Sequence, residues 1–245
     1  MTREWDARTY DRVADPMTRW GAAVLDRLPL RGEERVLDAG CGSGRVTELL
    51  AERLPRGRVV ALDGSSQMVA AARERLASFG DRIEYVVADL LQPLPIEPVD
   101  AILSTATFHW VLDHATLFRN LAAVLRPDGR LVAQCGGRGN IARLNAVLAE
   151  LGYPSEGVHH FADPVDEEAR LRSAGFTDVR CWLQDEPTVI EPPELMASYL
   201  RTVCLGPHLA TLAPAEHDAF IAEVQRRMAK PELDYVRLNI DATRG

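Results

Sequence analysis

From residue 31 onward, short apolar runs alternate with longer stretches in which apolar residues return every three or four positions. Val36-Leu37, Val59-Val60-Ala61-Leu62, Ile83 to Val87, Val99 to Leu103 and Leu131 to Ala133 are short enough to be buried strands. Between the first two runs, Arg45 to Leu54 places Val46, Leu49, Leu50 and Leu54 on one side of a helix. A Pro127-Asp128-Gly129 turn leads into the fifth strand. Further on, the pattern predicts helices over Asn140 to Leu151 and Asp166 to Ala174, a sixth strand over Phe176 to Val189, and helical structure from Pro192 to Ala229. Strand-like alternation then returns over Leu233 to Asp241. Ahead of the first strand, Trp5, Tyr10, Val13, Met17, Trp20, Val24 and Leu28 recur at near-helical spacing, with Pro16 expected to split the run into two helices. Strands and helices in regular alternation define an α/β unit built on a largely parallel sheet.

The strongest chemical signal lies where the first strand ends. Val36-Leu-Asp-Ala-Gly-Cys-Gly-Ser-Gly44 runs from apolar strand through an acid into three alternating glycines. Gly40, Gly42 and Gly44 permit backbone angles and close approach that a Cβ would block, and the strand, loop, helix order places free amides beside a ligand. The spacing differs from the dinucleotide fingerprint G-x-G-x-x-G, whose third glycine would fall at Arg45, which weighs against a nicotinamide oxidoreductase. Asp38 would repel a pyrophosphate but favour a ligand carrying an ammonium and a sulfonium. The second strand also ends in an acid, Asp63, about twenty residues past the loop, where mononucleotide-binding units hold a ribose. Asp63 as a helix cap is the competing account, although Ser65 or Ser66 can serve as that cap.

On these motifs the chain resembles the class I S-adenosylmethionine-dependent methyltransferases. Ile83 to Leu90 (a strand ending in Asp89), Val99 to Trp110 and Leu125 to Gln134 follow in the order of that family, so the resemblance spans Val36 to Gln134. Within it, Leu49 through Trp110 to Leu125 is most similar to the trans-aconitate methyltransferase group, with a departure at Phe108-His109. The resemblance implies a Rossmann-like, seven-stranded mixed sheet with its last strand antiparallel and helices on both faces. Around it would lie an N-terminal helical lid (1–30), a cofactor-binding core (31–136) and a helical cap (191–232) in one domain, 1–245. It implies S-adenosylmethionine as cofactor and S-adenosylhomocysteine as product. The cofactor would be held by Tyr10, Asp38, Gly40, Cys41, Gly42, Gly44, Asp63, Gly64, Met68, Asp89, Leu90 and Ser104. Core packing is an equal account of Met68.

On the acceptor side, a carboxylate nucleophile needs a cationic clamp; among Arg138, Arg143, Arg180 and Arg201 the preferred choice is Arg201, which shares the cap helix with Tyr199. Trp110, Tyr199 and Arg201 are the expected acceptor contacts. A hydroxyl, amine or acidic carbon would require a base, for which His109 is the candidate; a neutral wall histidine is the alternative. The core motifs do not fix the acceptor, so RNA or protein methylation and a non-catalytic cofactor-binding module remain open beside a small molecule. A net charge of −8 with no basic stripe disfavours bulk nucleic acid. Four cysteines without paired spacing, no leader-like opening and no long apolar run point to the cytoplasm and away from the membrane. His159-His160 has no carboxylate or cysteine at metal-ligand spacing, so no metal is expected. A monomer or weak dimer is the expected state.

Overall fold

The computed structural model describes residues 15–245. Its centre is a seven-stranded sheet in the order β3-β2-β1-β4-β5-β9-β6. The strands are β1 (Arg35–Ala39), β2 (Arg58–Asp63), β3 (Ile83–Val87), β4 (Val99–Thr105), β5 (Leu125–Gly136), β6 (Phe176–Asp185) and β9 (Val236–Arg244). The first five are parallel, and β9 runs antiparallel to both β5 and β6. In β2, Val59, Val60, Ala61 and Leu62 are all buried, because helices cover both faces and neither orientation of a side chain reaches water. Apolar side chains on the two faces accordingly form separate core clusters, one around Leu37, Leu62 and Phe118 and another around Val36, Ala61 and Leu103.

The helices are α1 (Asp15–Leu25), α2 (Arg45–Glu52), α3 (Ser66–Arg75), α4 (His114–Val124), α5 (Ala142–Glu150) and α6 (Pro164–Ser173). Ser65, Asp113 and Asp163 cap α3, α4 and α6, each accepting a hydrogen bond from an amide in the first turn. The capping of α3 thus falls to Ser65, as its position after the second strand suggests.

The expected sixth strand divides in two. Pro187, which has no N–H for the ladder, follows Glu186, and the chain resumes as β7 (Thr188–Val189), paired in a separate two-stranded sheet with β8 (Glu232–Leu233). The expected last strand therefore starts later, at Val236. Between β7 and β8 lie α7 (Pro193–Tyr199), a π-helical turn (Leu200–Cys204), α8 (Gly206–Leu209) and α9 (His217–Arg227). Their buried faces join α1 and α5 in a third core cluster with Trp20, Tyr199, Leu200 and Tyr235. Just beyond α1, Arg27 ties this lid to the sheet by reaching Asp241 (3.1 Å), Asn239 (2.6 Å) and the Ala133 carbonyl (2.9 Å).

Candidate active site

A cavity of about 580 Å³ opens where strand order reverses, at the carboxyl ends of β1 and β4. The glycine loop forms one wall. Gly40, Gly42 and Gly44 all take left-handed angles (φ +91°, +53° and +86°), which favour glycine. A Cβ on Gly40 would lie 2.1 Å from the Thr107 hydroxyl, whereas one on Gly42 would meet nothing within 4 Å and project into open space. The loop is not the cradle of free amides expected from the motif. The Gly40 and Cys41 amides donate to the Leu62 carbonyl (2.8 and 2.9 Å), Gly42 donates to Asp63 Oδ2 (2.9 Å) and Gly44 to the Cys41 carbonyl (3.0 Å). The loop folds back on the end of β2, and what it offers a ligand at Gly42 is space.

Asp63, the last residue of β2, and Asp89, just beyond the adjacent strand β3, both line the cavity, with Gly64, Met68 and Leu90. Asp63 accepts from Gly42 and, through Oδ1, from the Ser65 amide (2.9 Å). Asp89 Oδ1 accepts from the Leu91 amide (3.0 Å), leaving its other oxygen clear of that turn. Asp38, Cys41, Gly44 and Ser104 do not line this cavity. Ser104 donates to the Ala39 carbonyl (2.6 Å), joining β4 to β1. Asp38 is buried and accepts from Thr47 Oγ1 (2.7 Å), while its Oδ1 has no hydrogen-bond partner among the described residues. Burial pushes its carboxyl up to about 7; Thr47 opposes the shift and the Asp63 charge adds to it. Tyr10 lies outside the described residues.

The other half of the cavity is aromatic. After β4 the chain makes a short 3₁₀ turn (Phe108–Trp110) that brings His109 and Trp110 into the wall. His159 stacks on Phe161 (4.9 Å between rings) and lies 4.3 Å from Trp110. His109 is buried, and its Nδ1 accepts from the Gly136 amide (3.3 Å), which leaves the proton of the neutral ring on Nε2. Burial first, then the charges of Arg237, His159 and His114, hold its pKa well below the ordinary histidine range.

The cap contributes differently from the sequence expectation. Arg201 sits on the π-helical turn, pairs with Asp218 and does not line the cavity. Tyr199 is fully buried one layer back, its hydroxyl 2.6 Å from that of Tyr235. The periodicity of the cap residues places them on a helix but does not say which face meets the cavity. Tyr235, just before β9, and Arg237, near its start, occupy the wall instead, with Trp20 of α1. The Arg237 guanidinium lies 4.9 Å from the centre of the Trp20 ring and 5.8 Å from that of Tyr235, with Nε 3.4 Å from Gln134 Oε1. At 3% exposure, an arginine in this position is far more buried than the residue type usually is. The available signal was an arginine inside the apolar strand Tyr-Val-Arg-Leu-Asn-Ile.

His160 does have a carboxylate neighbour, supplied by tertiary structure: His114, His160 and Glu167 bring three potential ligand atoms within 4.8 Å. His114, however, makes hydrogen bonds through both ring nitrogens, to Glu167 (2.6 Å) and the Phe108 carbonyl (2.9 Å), and Arg170 holds the other Glu167 oxygen. These are buried hydrogen bonds that anchor the 3₁₀ turn.

Residues 37–133 match the model of a methyltransferase domain family. A trans-aconitate 2-methyltransferase of Azoarcus sp. is 32% identical over 232 residues, 89% of this chain and 87% of its own. The protein of the same name from Methylobacterium nodulans is 40% identical over 180 residues, covering 74% and 67%. Among solved structures, the Haemonchus contortus phosphoethanolamine N-methyltransferase 2 in complex with S-adenosyl-L-methionine superposes with a TM-score of 0.62. It is 19% identical, covering 98% of this chain and 57% of that one. Glycine loop, strand-end acids and strand order define a class I methyltransferase site. The chain belongs to the S-adenosylmethionine-dependent methyltransferases, in the family that includes the trans-aconitate 2-methyltransferases. It is a methyltransferase, and its cofactor is S-adenosylmethionine. The open space over Gly42, bounded by Asp63 and Asp89, fits that cofactor in shape and in charge. No helix of the described residues is long and apolar enough to cross a membrane.

Proposed function

We propose that this enzyme methylates a carboxylate oxygen of a small-molecule acid, giving a methyl ester. The observation that carries this reading is Arg237, a buried guanidinium in the aromatic half of a cavity whose other half suits the cofactor. The curated relatives are named for trans-aconitate, a carboxylic acid, which supports the same acceptor chemistry.

When bound, S-adenosylmethionine supplies an electrophilic methyl carbon on a sulfonium. Asp63 receives the ribose hydroxyls and holds the loop through Gly42. Asp89 and the Leu90 amide would receive the adenine edge and Met68 would pack on its face, all three lining the same part of the cavity. Burial pushes the Asp38 carboxyl up to about 7, so a cationic ligand nearby would favour its ionised form and be favoured by it in turn. Arg237 orients the acid through its paired N–H groups, and each carboxylate oxygen keeps a second lone pair for the methyl carbon. A carboxylate is already anionic, so its attack on that methyl carbon, with sulfur leaving as a neutral thioether, would move no proton and would require no base of this chain. His109 then acts as a neutral Nε2–H donor, consistent with its buried ring and its occupied Nδ1. Trp20, Trp110 and Tyr235 exclude water and align the two ligands.

We read 1–245 as one unit, with 191–232 as the cap that backs the acceptor pocket. A cytoplasmic location is supported by four free cysteines. A monomer or weak dimer remains our expectation. The test is methyl transfer from labelled cofactor to a panel of small carboxylic acids, with Arg237→Gln beside the wild type. Arg237→Gln should raise the acceptor KM about tenfold or more and leave cofactor affinity within about twofold. An unchanged KM removes Arg237 from the acceptor site.

A further inference from the structure

We propose that Gln134 positions Arg237 for the acceptor, and that the orientation of Gln134 is itself set through Asn239 by Arg27. This rests on the acceptor role given to Arg237 above and extends it to three side chains that do not line the cavity.

Gln134 of β5 and Asn239 of β9 are register partners across the antiparallel ladder, and both are buried between apolar neighbours on their strands. Amides in such a place are costly unless they are bonded. These two are joined in one row of hydrogen bonds, and the row has a single direction. Arg27 can only donate, so Asn239 turns its oxygen to Arg27 Nη1 (2.6 Å). The Gln134 nitrogen donates to that same oxygen (2.9 Å), which leaves the Gln134 oxygen to accept from Arg237 Nε (3.4 Å). Arg237 also has no acceptor atom, so the inner end of the row demands the same setting of the amides as the outer end. Turning over either amide would set N–H against N–H at an arginine. The Asn239 nitrogen, in its turn, donates to Gln184 Oε1 (3.4 Å). The outer end is anchored: Arg27 is held by Asp241 (3.1 Å) and the Ala133 carbonyl (2.9 Å), just past the helix that brings Trp20 to the cavity wall. A hydrogen bond at Nε fixes the rotation of a guanidinium in its own plane, which contact with a ring face leaves open. The row thus sets the angle at which the Arg237 fork stands, and a planar carboxylate is sensitive to that angle.

The test offers trans-aconitate, citrate, succinate, phenylacetate and 3-methylbutanoate to the full chain with labelled S-adenosylmethionine, and follows the acid methylated fastest. Gln134→Met is close in size and lacks the amide. It should raise the KM for that acid about fivefold or more, change kcat less, and leave calorimetric S-adenosylhomocysteine affinity within about twofold. Added to Arg237→Gln, it should raise KM by less than about twofold further, because its effect passes through Arg237. Asn239→Leu should repeat the rise. Asn239→Asp keeps an oxygen for both Arg27 and Gln134, and should hold KM within about twofold of the wild type. Wild-type KM in a folded Gln134→Met protein, or equal KM in the two Asn239 variants, overturns the inference, while a raised KM in Arg237→Gln keeps the acceptor reading. If Gln134→Met fails to fold, the two Asn239 variants decide. An unchanged KM in Arg237→Gln, or no methyl ester from any of the acids, overturns the acceptor reading and the inference with it.

Discussion

Asp38 and Asp63 stand at the ends of neighbouring strands, and burial gives them different tasks. Asp38 has its carboxyl raised from 3.8 to about 7, the reverse of the usual direction for a folded-state acid. Between pH 4 and 7 the native chain holds a proton there that the unfolded chain has released. The contribution to stability therefore falls as pH rises through that window and levels off above about 7. Asp38→Asn should remove this penalty, raising the cofactor-free stability at pH 8 by roughly 1–3 kcal/mol and flattening its pH dependence between 4 and 7. The same variant should bind S-adenosylmethionine more weakly at pH 8. Urea unfolding with calorimetry checks both, and equal pH profiles for variant and wild type would show that Asp38 is not the titrating group. Asp63→Ala loses the acceptor of the Gly42 and Ser65 amides as well as the expected ribose contact. We expect a loss of roughly 1–3 kcal/mol in calorimetric cofactor affinity. The glycine loop and Asp63 were legible in the sequence because strand, acid and glycine are adjacent along the chain. Arg237 was not singled out, since its setting depends on Trp20 meeting it from the lid and Tyr235 from the chain just before β9.

At the scale of elements, the 3₁₀ turn carrying His109 and Trp110 has no long helix or ladder of its own to hold it. Its anchor is remote in sequence: His114, at the start of α4, bonds to the Phe108 carbonyl and to Glu167 of α6, and both side chains are completely buried. Removing His114 leaves Glu167 Oε2 and the Phe108 carbonyl buried without that partner, although Arg170 still holds Glu167 Oε1, so His114→Leu should cost roughly 1–3 kcal/mol in urea unfolding. The turn should loosen with it, raising the acceptor KM more than the cofactor Kd. A variant with wild-type stability and kinetics would remove the pair from this role. The sequence predicted a helix over Asp166 to Ala174, but only the packing of α6 on α4 brings His114 and Glu167 together. The cap shows the same limit. Its helical content was readable from the period of apolar residues, while the Arg201–Asp218 pair and the hidden Tyr199 follow from a rotation that the period leaves open. Pro187 was the local clue to the break between β6 and β7, though the partner β8 lies more than forty residues away.

At the scale of the whole molecule, one cavity is assembled from elements spread along the chain, from Trp20 to Arg237, and ligand binding should stabilise them together. The order of strands and helices was legible because each βα unit repeats the same apolar run and amphipathic stretch; beyond His109 and Trp110, the lining of the acceptor half was not, because it is contributed by α1, the loop around His159, and the chain entering β9. S-adenosylhomocysteine at about a hundred times its Kd should stabilise the wild type by about 2.7 kcal/mol. Gly42→Val separates that linkage from the fold itself. The position sits at φ +53° and its Cβ would enter the open cavity without touching another residue, so the folded chain bears local backbone strain but no core clash. The isopropyl group would occupy the space left for the cofactor. A cooperative unfolding transition should persist, lowered by roughly 1–2 kcal/mol from the left-handed backbone, while the stabilisation by S-adenosylhomocysteine disappears. A Gly42→Val protein that retains the full ligand-induced shift would place the cofactor elsewhere than over the glycine loop.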